Sequence, residues 1–102
     1  MKTTVVRYKL KPERVEENVA YVRKVFEQLV RESPPGLRYC SIQLEDKVSF
    51  VHVSAVDDSL PSNPLTRLAA FKEFTARIAD RCEEPPKAMS GGFVGAYRTF
   101  GA

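Results

Sequence analysis

The sequence lacks most of the residues from which metal sites and redox motifs are built. Of its 102 residues none is tryptophan, two are cysteine and one is histidine. Cys40 and Cys82 are far apart with no second cysteine near either. This spacing excludes a Cys-x-x-Cys motif or a cysteine-rich zinc site, and it predicts two separate reduced thiols. His52 alone cannot supply the three or four ligands of a common metal site, so we expect no metal.

Glycine is scarce as well, and it is not arranged in any nucleotide-binding pattern. The five glycines lack the spacing of a phosphate-binding loop or a dinucleotide fingerprint. The chain also has no nucleophile elbow of the kind found in α/β-hydrolases. These absences leave kinase and hydrolase functions without support, and we expect no bound cofactor.

Long apolar runs are missing too. The longest, residues 19–22 and 68–71, have four members each, whereas a helix that spans a membrane needs roughly 18 apolar residues. The amino-terminal residues lack the apolar run and the small-residue cleavage site of a secretory signal. We therefore expect a cytoplasmic protein with no membrane partner.

The charge balance is mildly basic. Sixteen Lys and Arg residues outnumber 13 Asp and Glu residues, which gives a formal net charge of +3. These charges are scattered along the chain, whereas nucleic-acid-binding proteins usually concentrate them in a patch or stripe. We therefore expect a solvated surface and no nucleic-acid partner.

The sequence does contain enough apolar material for a core. Hydrophobic residues make up 43% of it and include six Phe and four Tyr, which excludes a disordered or collagen-like chain. A chain of this length supports one hydrophobic core. We predict a single domain over residues 1–102.

The first third of the chain predicts a strand followed by a helix. β-branched and aromatic residues at 3–10 predict the strand, which ends before Pro12. Pro12 suits the start of a helix because its φ is already helical and its missing N–H is not needed there. Apolar residues then recur every three or four positions, as they do on one face of a helix. This stripe consists of Val15, Val19, Val22, Phe26, Leu29 and Val30.

The middle of the chain predicts a hairpin. Residues 37–44 and 48–56 have the composition of strands. Only residues 45–47 separate them, and a connection this short must be a tight turn. The two strands are therefore predicted to be adjacent and antiparallel.

The last third predicts a second helix and a final strand. Asn63 is placed to cap the helix and Pro64 to begin it. Pro85 and Pro86 are predicted to end it, and residues 93–100 to form the strand. The inner stripe of this helix consists of Leu68, Phe71, Thr75, Ile78 and Cys82.

The predicted order is βαββαβ. This order defines the ferredoxin-like class of α+β folds, in which two helices cover one face of a four-stranded antiparallel sheet. Because side chains alternate along a strand, the strands divide into two faces. One face is predicted to carry Val6, Tyr8, Leu10, Cys40, Ile42, Leu44, Val51, Val53 and Ala55. The other is predicted to carry Val5, Arg7, Leu37, Tyr39, Ser41, Gln43, Phe50, His52 and Ser54.

Both predicted faces hold large apolar side chains, but two helices can cover only one of them. The other face needs a second cover, and another copy of the chain is the simplest source. We therefore expect a homodimer.

The element order resembles that of the dimeric α+β barrel superfamily, and within it the antibiotic biosynthesis monooxygenase-like proteins. The resemblance covers nearly all of the chain and includes residues 35–39 at the start of the second strand and residues 50–51 in the third. It implies homodimers whose sheets pack together as a barrel. It also implies a small aromatic or polyketide-like ligand, which some members oxidise without a metal or flavin.

His52 is the leading candidate for catalysis because imidazole titrates in the range that suits a general base. We predict that it takes a proton from a phenol or an activated carbon acid. Arg7 or Tyr39, assigned to the same face, would hold the oxygen that becomes negative. Arg98, in the predicted final strand, is a further candidate for that role.

Three alternatives remain open from the sequence. His52 is also explained as a packing histidine held by a neighbouring hydroxyl, which is the commoner role of a lone histidine, and a lone histidine can also ligate haem. A non-catalytic dimeric module that binds a metabolite or a protein needs nothing that the sequence lacks. RNA-recognition domains share the element order, but residues 47–52 lack the glycines and one of the aromatic residues of their third-strand motif.

Overall fold

The fold is a four-stranded antiparallel sheet with two helices on one face, seen in a computed structural model that describes residues 1–98. Its helices and strands are β1 (Lys2–Leu10), α1 (Val15–Glu32), β2 (Leu37–Gln43), β3 (Ser49–Val56), α2 (Ala69–Thr75) and β4 (Cys82–Gly91). Short 3-10 turns lie at Pro12–Arg14, Pro64–Arg67 and Ile78–Arg81. The strands lie in the order β2-β3-β1-β4. The predicted ferredoxin-like α+β class is therefore confirmed.

α1 forms as predicted, but its buried face is rotated slightly. Pro12 opens the preceding 3-10 turn, and Ser33, in a left-handed conformation, ends the helix. Val30, which the predicted stripe included, is 80% exposed. The buried residues of α1 are Asn18, Val22 and Val25. No helix within residues 1–98 is both long and apolar enough to cross a membrane.

The second helix is much shorter than predicted. The side chain of Asn63 caps the chain as expected by accepting a backbone N–H, but it caps only a 3-10 turn. Extended backbone at Leu68 and Ala76 and left-handed backbone at Arg77 confine α2 to seven residues. The prediction of one continuous helix from Pro64 to the residues before Pro85 is wrong, because periodic burial identifies the inward residues and not the backbone between them.

The final strand lies earlier than predicted. β4 occupies residues that the prediction gave to the end of the helix and to the segment after it, and no strand forms over residues 93–98. Residues 99 and 100, the rest of the predicted strand, lie outside the described residues. Pro85 and Pro86 are tolerated in β4 because it is an edge strand whose register with β1 shifts beside them.

The two faces of the sheet differ from the prediction at β1. β2 and β3 pair as a hairpin with the predicted parity, so Tyr39 and His52 share a face. Val6 pairs with His52, whereas Arg7 pairs with Val51. The assignment of Arg7 to the His52 face is therefore wrong. No turn joins β1 to β3, so local sequence did not set their register, and burial of Tyr8 against the helices decides it.

The face turned away from the helices carries a group of apolar side chains that nothing in the single chain covers. We call it the open sheet face. Its apolar residues are Val5, Cys40, Ile42, Val51, Val53 and Met89, and the charged residues Arg7 and Lys87 lie on the same face. Ile42 is 48% exposed and Met89 is 75% exposed. Large apolar side chains in the middle of a sheet face usually mark a site of contact.

Gly36 gives a test of the loop packing beside β2. Its φ is +77°, and a Cβ atom there would lie 2.8 Å from Cδ1 of Leu60 and 3.1 Å from Cβ of Asp57. We expect Gly36→Ala to lower the free energy of unfolding by about 1–3 kcal/mol, because it combines left-handed strain with a clash. Gly92→Ala, where nothing lies within 4 Å, is the control for urea denaturation. Equal stability of the two variants would contradict this account of Gly36.

Candidate functional site

A cavity of about 220 Å³ lies between the sheet and α2. Its walls come from all four strands, from α2 and from the 3-10 turns on either side of α2. The lining residues are Thr4, Val6, Tyr8, Tyr39, His52, Ser54, Asn63, Leu65, Phe71, Phe74, Thr75, Ile78 and Pro86. Five of them carry aromatic rings, and none carries a formal charge at neutral pH while His52 is neutral. The cavity therefore favours an uncharged molecule with flat apolar surfaces.

His52 lies at the wall of this cavity and is almost completely buried, with 4% of its surface exposed. The hydroxyl of Tyr8 lies 2.8 Å from its Nε2 atom, and the hydroxyl of Tyr39 lies 2.6 Å from its Nδ1 atom. Ser41 Oγ lies 3.1 Å from Nε2. Phe74 stacks on the imidazole with a centroid distance of 5.3 Å. Both ring nitrogens are thus held by hydroxyl groups.

Burial shifts the titration of this cluster toward neutral forms. Removal from water lowers the pKa of His52 to about 4. The same effect raises the pKa of Tyr8 and of Tyr39 well above the ordinary phenol value, because their charged form is the anion. At neutral pH the imidazole and both phenols are therefore uncharged.

A second layer of buried polar groups lies behind Tyr8. Nδ2 of Asn18 donates to the Tyr8 hydroxyl at 2.9 Å, and Nε of Arg81 donates to Oδ1 of Asn18 at 3.2 Å. A second guanidinium nitrogen of Arg81 donates to the carbonyl of Phe74 at 2.6 Å. Arg81 also lies over the ring of Tyr21 at 4.7 Å. These contacts link β1, α1 and the turn before β4 to the cavity.

Sequence reasoning missed Asn18 and Arg81. Asn18 carries a usable signal, since it stands three residues after Val15 and four before Val22, on the inner face of α1. A polar residue on an apolar stripe needs a buried partner. Arg81 carries no such signal, because only the tertiary structure buries it.

The structure brings together two of the three predicted catalytic residues. Tyr39 and His52 form a hydrogen-bonded pair at the cavity. Arg7 is exposed on the opposite side of the sheet, between Val51 and Lys87. Arg98 lies beside the exposed ring of Tyr97 and does not line the cavity. Within one chain, Tyr39 alone of the proposed donors can reach an oxygen held near His52.

The described residues contain no group of three or more His, Cys, Asp or Glu side chains placed to hold a metal ion. Both cysteines are free thiols, with Cys82 buried and Cys40 partly buried. The cavity wall itself offers imidazole, phenol, hydroxyl and amide groups. Its chemistry is therefore hydrogen bonding to an uncharged ligand.

The depressed pKa of His52 predicts a pH dependence of stability. In the unfolded chain His52 binds a proton below about pH 6.5, whereas the folded chain resists protonation down to about pH 4. Stability is therefore lost as pH falls through this window, by about 2 kcal/mol between pH 7.5 and pH 5. Urea denaturation at both pH values measures it.

His52→Gln is the matched variant for this measurement because it removes the titrating group. We expect its stability to change much less over the same window, since the exposed carboxylates with lowered pKa values, Glu17, Asp46 and Asp57, lose their contribution only at lower pH. Parallel pH curves for the two proteins would contradict a buried neutral imidazole.

The fold of this chain is similar to those of several solved structures. No family model matches the chain, and no curated protein is detectably similar to it. A solved structure from Nitrosomonas europaea, provisionally named an antibiotic biosynthesis monooxygenase, superposes with a TM-score of 0.77 at 26% identity, covering 93% of this chain and 100% of that one. A structure from Bacteroides thetaiotaomicron with the same provisional name gives 0.76 at 17% identity, covering 91% and 89%.

A third structure, named antibiotic biosynthesis monooxygenase, gives a TM-score of 0.71 at 16% identity and covers 93% of this chain and 100% of that one. Other neighbours have no assigned function, including a second protein from Nitrosomonas europaea at a TM-score of 0.71. The resemblance predicted from the element order is confirmed at this level. The chain has the ferredoxin-like fold of the antibiotic biosynthesis monooxygenase-like proteins.

Proposed function

We propose that the chain is a cofactor-independent monooxygenase-like protein that acts on a small aromatic or polyketide-like molecule held in the cavity. The observation that carries the proposal is an aromatic-walled cavity of about 220 Å³, without a charged lining side chain, that contains the hydrogen-bonded pair Tyr39 and His52. The names of several solved neighbours support it.

The cavity walls favour a flat ligand of modest size. Ligand pockets commonly measure roughly 300–1,000 Å³, and this cavity is smaller. Phe71 and Phe74 contribute ring surfaces, and Val6 and Leu65 contribute aliphatic contacts. A charged ligand would lose its hydration without gaining a counter-ion among the lining residues. A fused-ring phenol or ketone fits these conditions.

The chemistry requires stabilisation of a negative oxygen. Loss of a proton from a hydroxylated aromatic gives an electron-rich anion that can pass an electron to O₂ without a cofactor. When a ring CH₂ is oxidised to a ketone, one atom of O₂ forms the new C=O bond, and the other leaves as water with the two hydrogens. We assign Tyr39 to hold the oxygen that becomes negative, because its hydroxyl lies at the cavity.

The role of His52 as proton acceptor stays a prediction. Its Nε2 and Nδ1 atoms already face the hydroxyls of Tyr8 and Tyr39. A proton arriving from the ligand would therefore have to come through one of these hydrogen bonds.

A non-catalytic binding module is the second candidate. The observation that favours it is the low pKa of His52, which makes the imidazole a weak base at neutral pH. In this case the same cavity binds an aromatic ligand without turning it over. Activity and binding measurements on one probe separate the two candidates.

The open sheet face supports a homodimer. It presents apolar side chains on all four strands, including exposed Ile42 and Met89, with Arg7 and Lys87 among them. Covering it with the same face of a second chain gives a symmetric, self-complementary contact. We expect the interface to reach the standard size of roughly 1,600 Å².

Anthrone is a suitable probe of activity, since it has a ketone oxygen and a reactive ring CH₂. We expect the protein to accelerate O₂ uptake and anthraquinone formation over the rate in air-saturated buffer. Tyr39→Phe should lower kcat by about 10²–10³, the cost of removing one oxyanion donor. An oxygen electrode measures the O₂ consumed, and absorbance measures the anthraquinone formed.

Tyr97→Phe is the matched control because Tyr97 is 82% exposed, and its kcat should equal that of the unaltered protein. His52→Gln should lower kcat by about 10²–10⁴ if His52 takes the proton. Turnover of Tyr39→Phe within a few-fold of the parent would eliminate the role of Tyr39. Binding of anthrone with no turnover would favour the non-catalytic module.

The dimer is tested by a charge placed in the open sheet face. Val53 lies at the centre of the open sheet face, on β3 between β1 and β2. Val53→Asp should give a monomer of 11.5 kDa, because removing a carboxylate from water in a dimer contact carries a large free-energy cost. Val30→Asp, on the exposed side of α1, should remain dimeric. Analytical ultracentrifugation at micromolar concentration distinguishes them, and a monomeric parent protein would sink the proposal.

A further inference from the structure

Arg81 is a buried cation without a direct carboxylate contact among the described residues. Only 2% of its surface is exposed, and within residues 1–98 no Asp or Glu lies within salt-bridge distance of it. Its partners are Oδ1 of Asn18, the carbonyl of Phe74 and the rings of Tyr21 and Phe74. A guanidinium keeps its proton and can only donate hydrogen bonds. Arg81 therefore fixes the direction of the hydrogen bonds that begin at it.

Asn18 is the first group whose orientation is fixed in this way. It is fully buried, and its amide must turn the oxygen toward Arg81 because a guanidinium cannot accept. The amide nitrogen then faces the hydroxyl oxygen of Tyr8 and donates to it at 2.9 Å. The side chain of Asn18 thus has a single orientation that satisfies both neighbours.

The hydroxyl of Tyr8 must donate its hydrogen bond to a group other than Asn18. Its oxygen already accepts from Asn18, and its other hydrogen-bonding neighbour among the described residues is Nε2 of His52 at 2.8 Å. The Tyr8 hydroxyl therefore donates to Nε2, which must be the unprotonated nitrogen of the ring. With hydrogen on Nε2, the ring could donate to Ser41, but the buried Tyr8 hydroxyl would lose its acceptor.

The hydrogen of the neutral ring is then on Nδ1. Nδ1 lies 2.6 Å from the hydroxyl oxygen of Tyr39, so the ring donates and Tyr39 accepts. The hydroxyl hydrogen of Tyr39 is left free to point away from His52. Tyr39 lines the cavity, so this hydrogen is available to a ligand there.

We propose that Arg81 and Asn18 are positioning residues that hold His52 as its Nδ1–H tautomer. In this tautomer Tyr39 presents its hydroxyl as a hydrogen-bond donor to the carbonyl oxygen of an uncharged aromatic ketone in the cavity. The ligand in this proposal rests on the proposed function of the cavity. The tautomer of His52 does not, because it follows from the hydrogen bonds alone. Each hydrogen bond in this series polarises the next one. The buried charge of Arg81 therefore strengthens the hydrogen bond that Tyr39 donates to the ligand. The site then stabilises negative charge on the ligand oxygen, whereas the sequence prediction has His52 take a proton.

The tautomer can be measured without any ligand. His52 is the only histidine in the sequence, so protein labelled with ¹⁵N-histidine, with any histidine tag removed, gives one pair of ring signals. Long-range ¹H–¹⁵N correlation at pH 7.5 shows which nitrogen carries the hydrogen. We expect Nδ1–H, and an Nε2–H ring in the unaltered protein would overturn the proposal.

Asn18→Asp should reverse the chain of hydrogen bonds. A carboxylate can only accept, so both Arg81 and Tyr8 would donate to it. The Tyr8 oxygen would then accept from Nε2–H, and the ring signals should switch to the Nε2–H tautomer. An unchanged Nδ1–H ring in folded Asn18→Asp protein would contradict the role of Asn18.

Asn63→Asp is the matched control because Asn63 also lines the cavity but stands outside the chain of hydrogen bonds. An aspartate can keep its cap on the Leu65 N–H, and His52 should remain the Nδ1–H tautomer. A switch in this variant would attribute the effect to charge alone and overturn the assignment to Asn18. Near-ultraviolet circular dichroism verifies folding, and if Asn18→Asp is unfolded, Tyr8→Phe replaces it. That variant should give a mixture of tautomers, and a pure Nδ1–H ring would overturn the proposal.

Ligand recognition is tested with two probes of similar shape, 1-tetralone and the hydrocarbon tetralin. We expect the unaltered protein to bind the ketone several-fold more tightly than the hydrocarbon, the preference expected from one neutral hydrogen bond. Asn18→Asp should lose this preference. If the unaltered protein and Asn18→Asp prefer 1-tetralone over tetralin by the same factor, the donor role of Tyr39 is overturned. If neither probe binds, the proposed function of the cavity fails, while the ring signals of His52 still decide the tautomer.

Discussion

The hydrogen bonds around His52 join the sheet to the helices at the cavity. They connect Tyr8 on β1, Tyr39 on β2 and His52 on β3, and they continue to Asn18 on α1 and to Arg81 before β4. Each of these groups is buried or partly buried, so an unmade hydrogen bond would cost more here than at the surface. The elements must therefore meet in one arrangement that satisfies all five side chains.

This requirement also explains why the cavity remains open beside a well-packed core. Tyr8 stacks on Phe50 at 5.5 Å, and His52 stacks on Phe74 at 5.3 Å, which anchors the polar cluster to the hydrophobic core on one side. The rest of the wall comes from other residues of α2 and from the turns around it. Because α2 has only seven residues, it covers part of the sheet and leaves room for a small ligand.

The two faces of the sheet have different roles. One holds the polar cluster and the cavity, and the other carries uncovered apolar side chains together with Arg7 and Lys87. Arg7 belongs to the second face, so it is separated from His52 by the sheet itself. The proposed chemistry and the proposed dimer contact are therefore properties of opposite sides of the same four strands.

The sequence alone determined the element order, the β2-β3 hairpin and the placement of Tyr39 and His52 on one face of the sheet, because short turns and period-two alternation are local properties. The register of β1, the extent of α2 and the position of β4 depended on tertiary structure, since burial and edge position override local pattern. The same holds for the site. His52 is conspicuous as the only histidine, but the partners that set its protonation, Asn18 and Arg81, come from 63 positions apart. Only folding brings a guanidinium, an amide and a phenol into one line, and their donor and acceptor chemistry then decides what Tyr39 offers to a ligand.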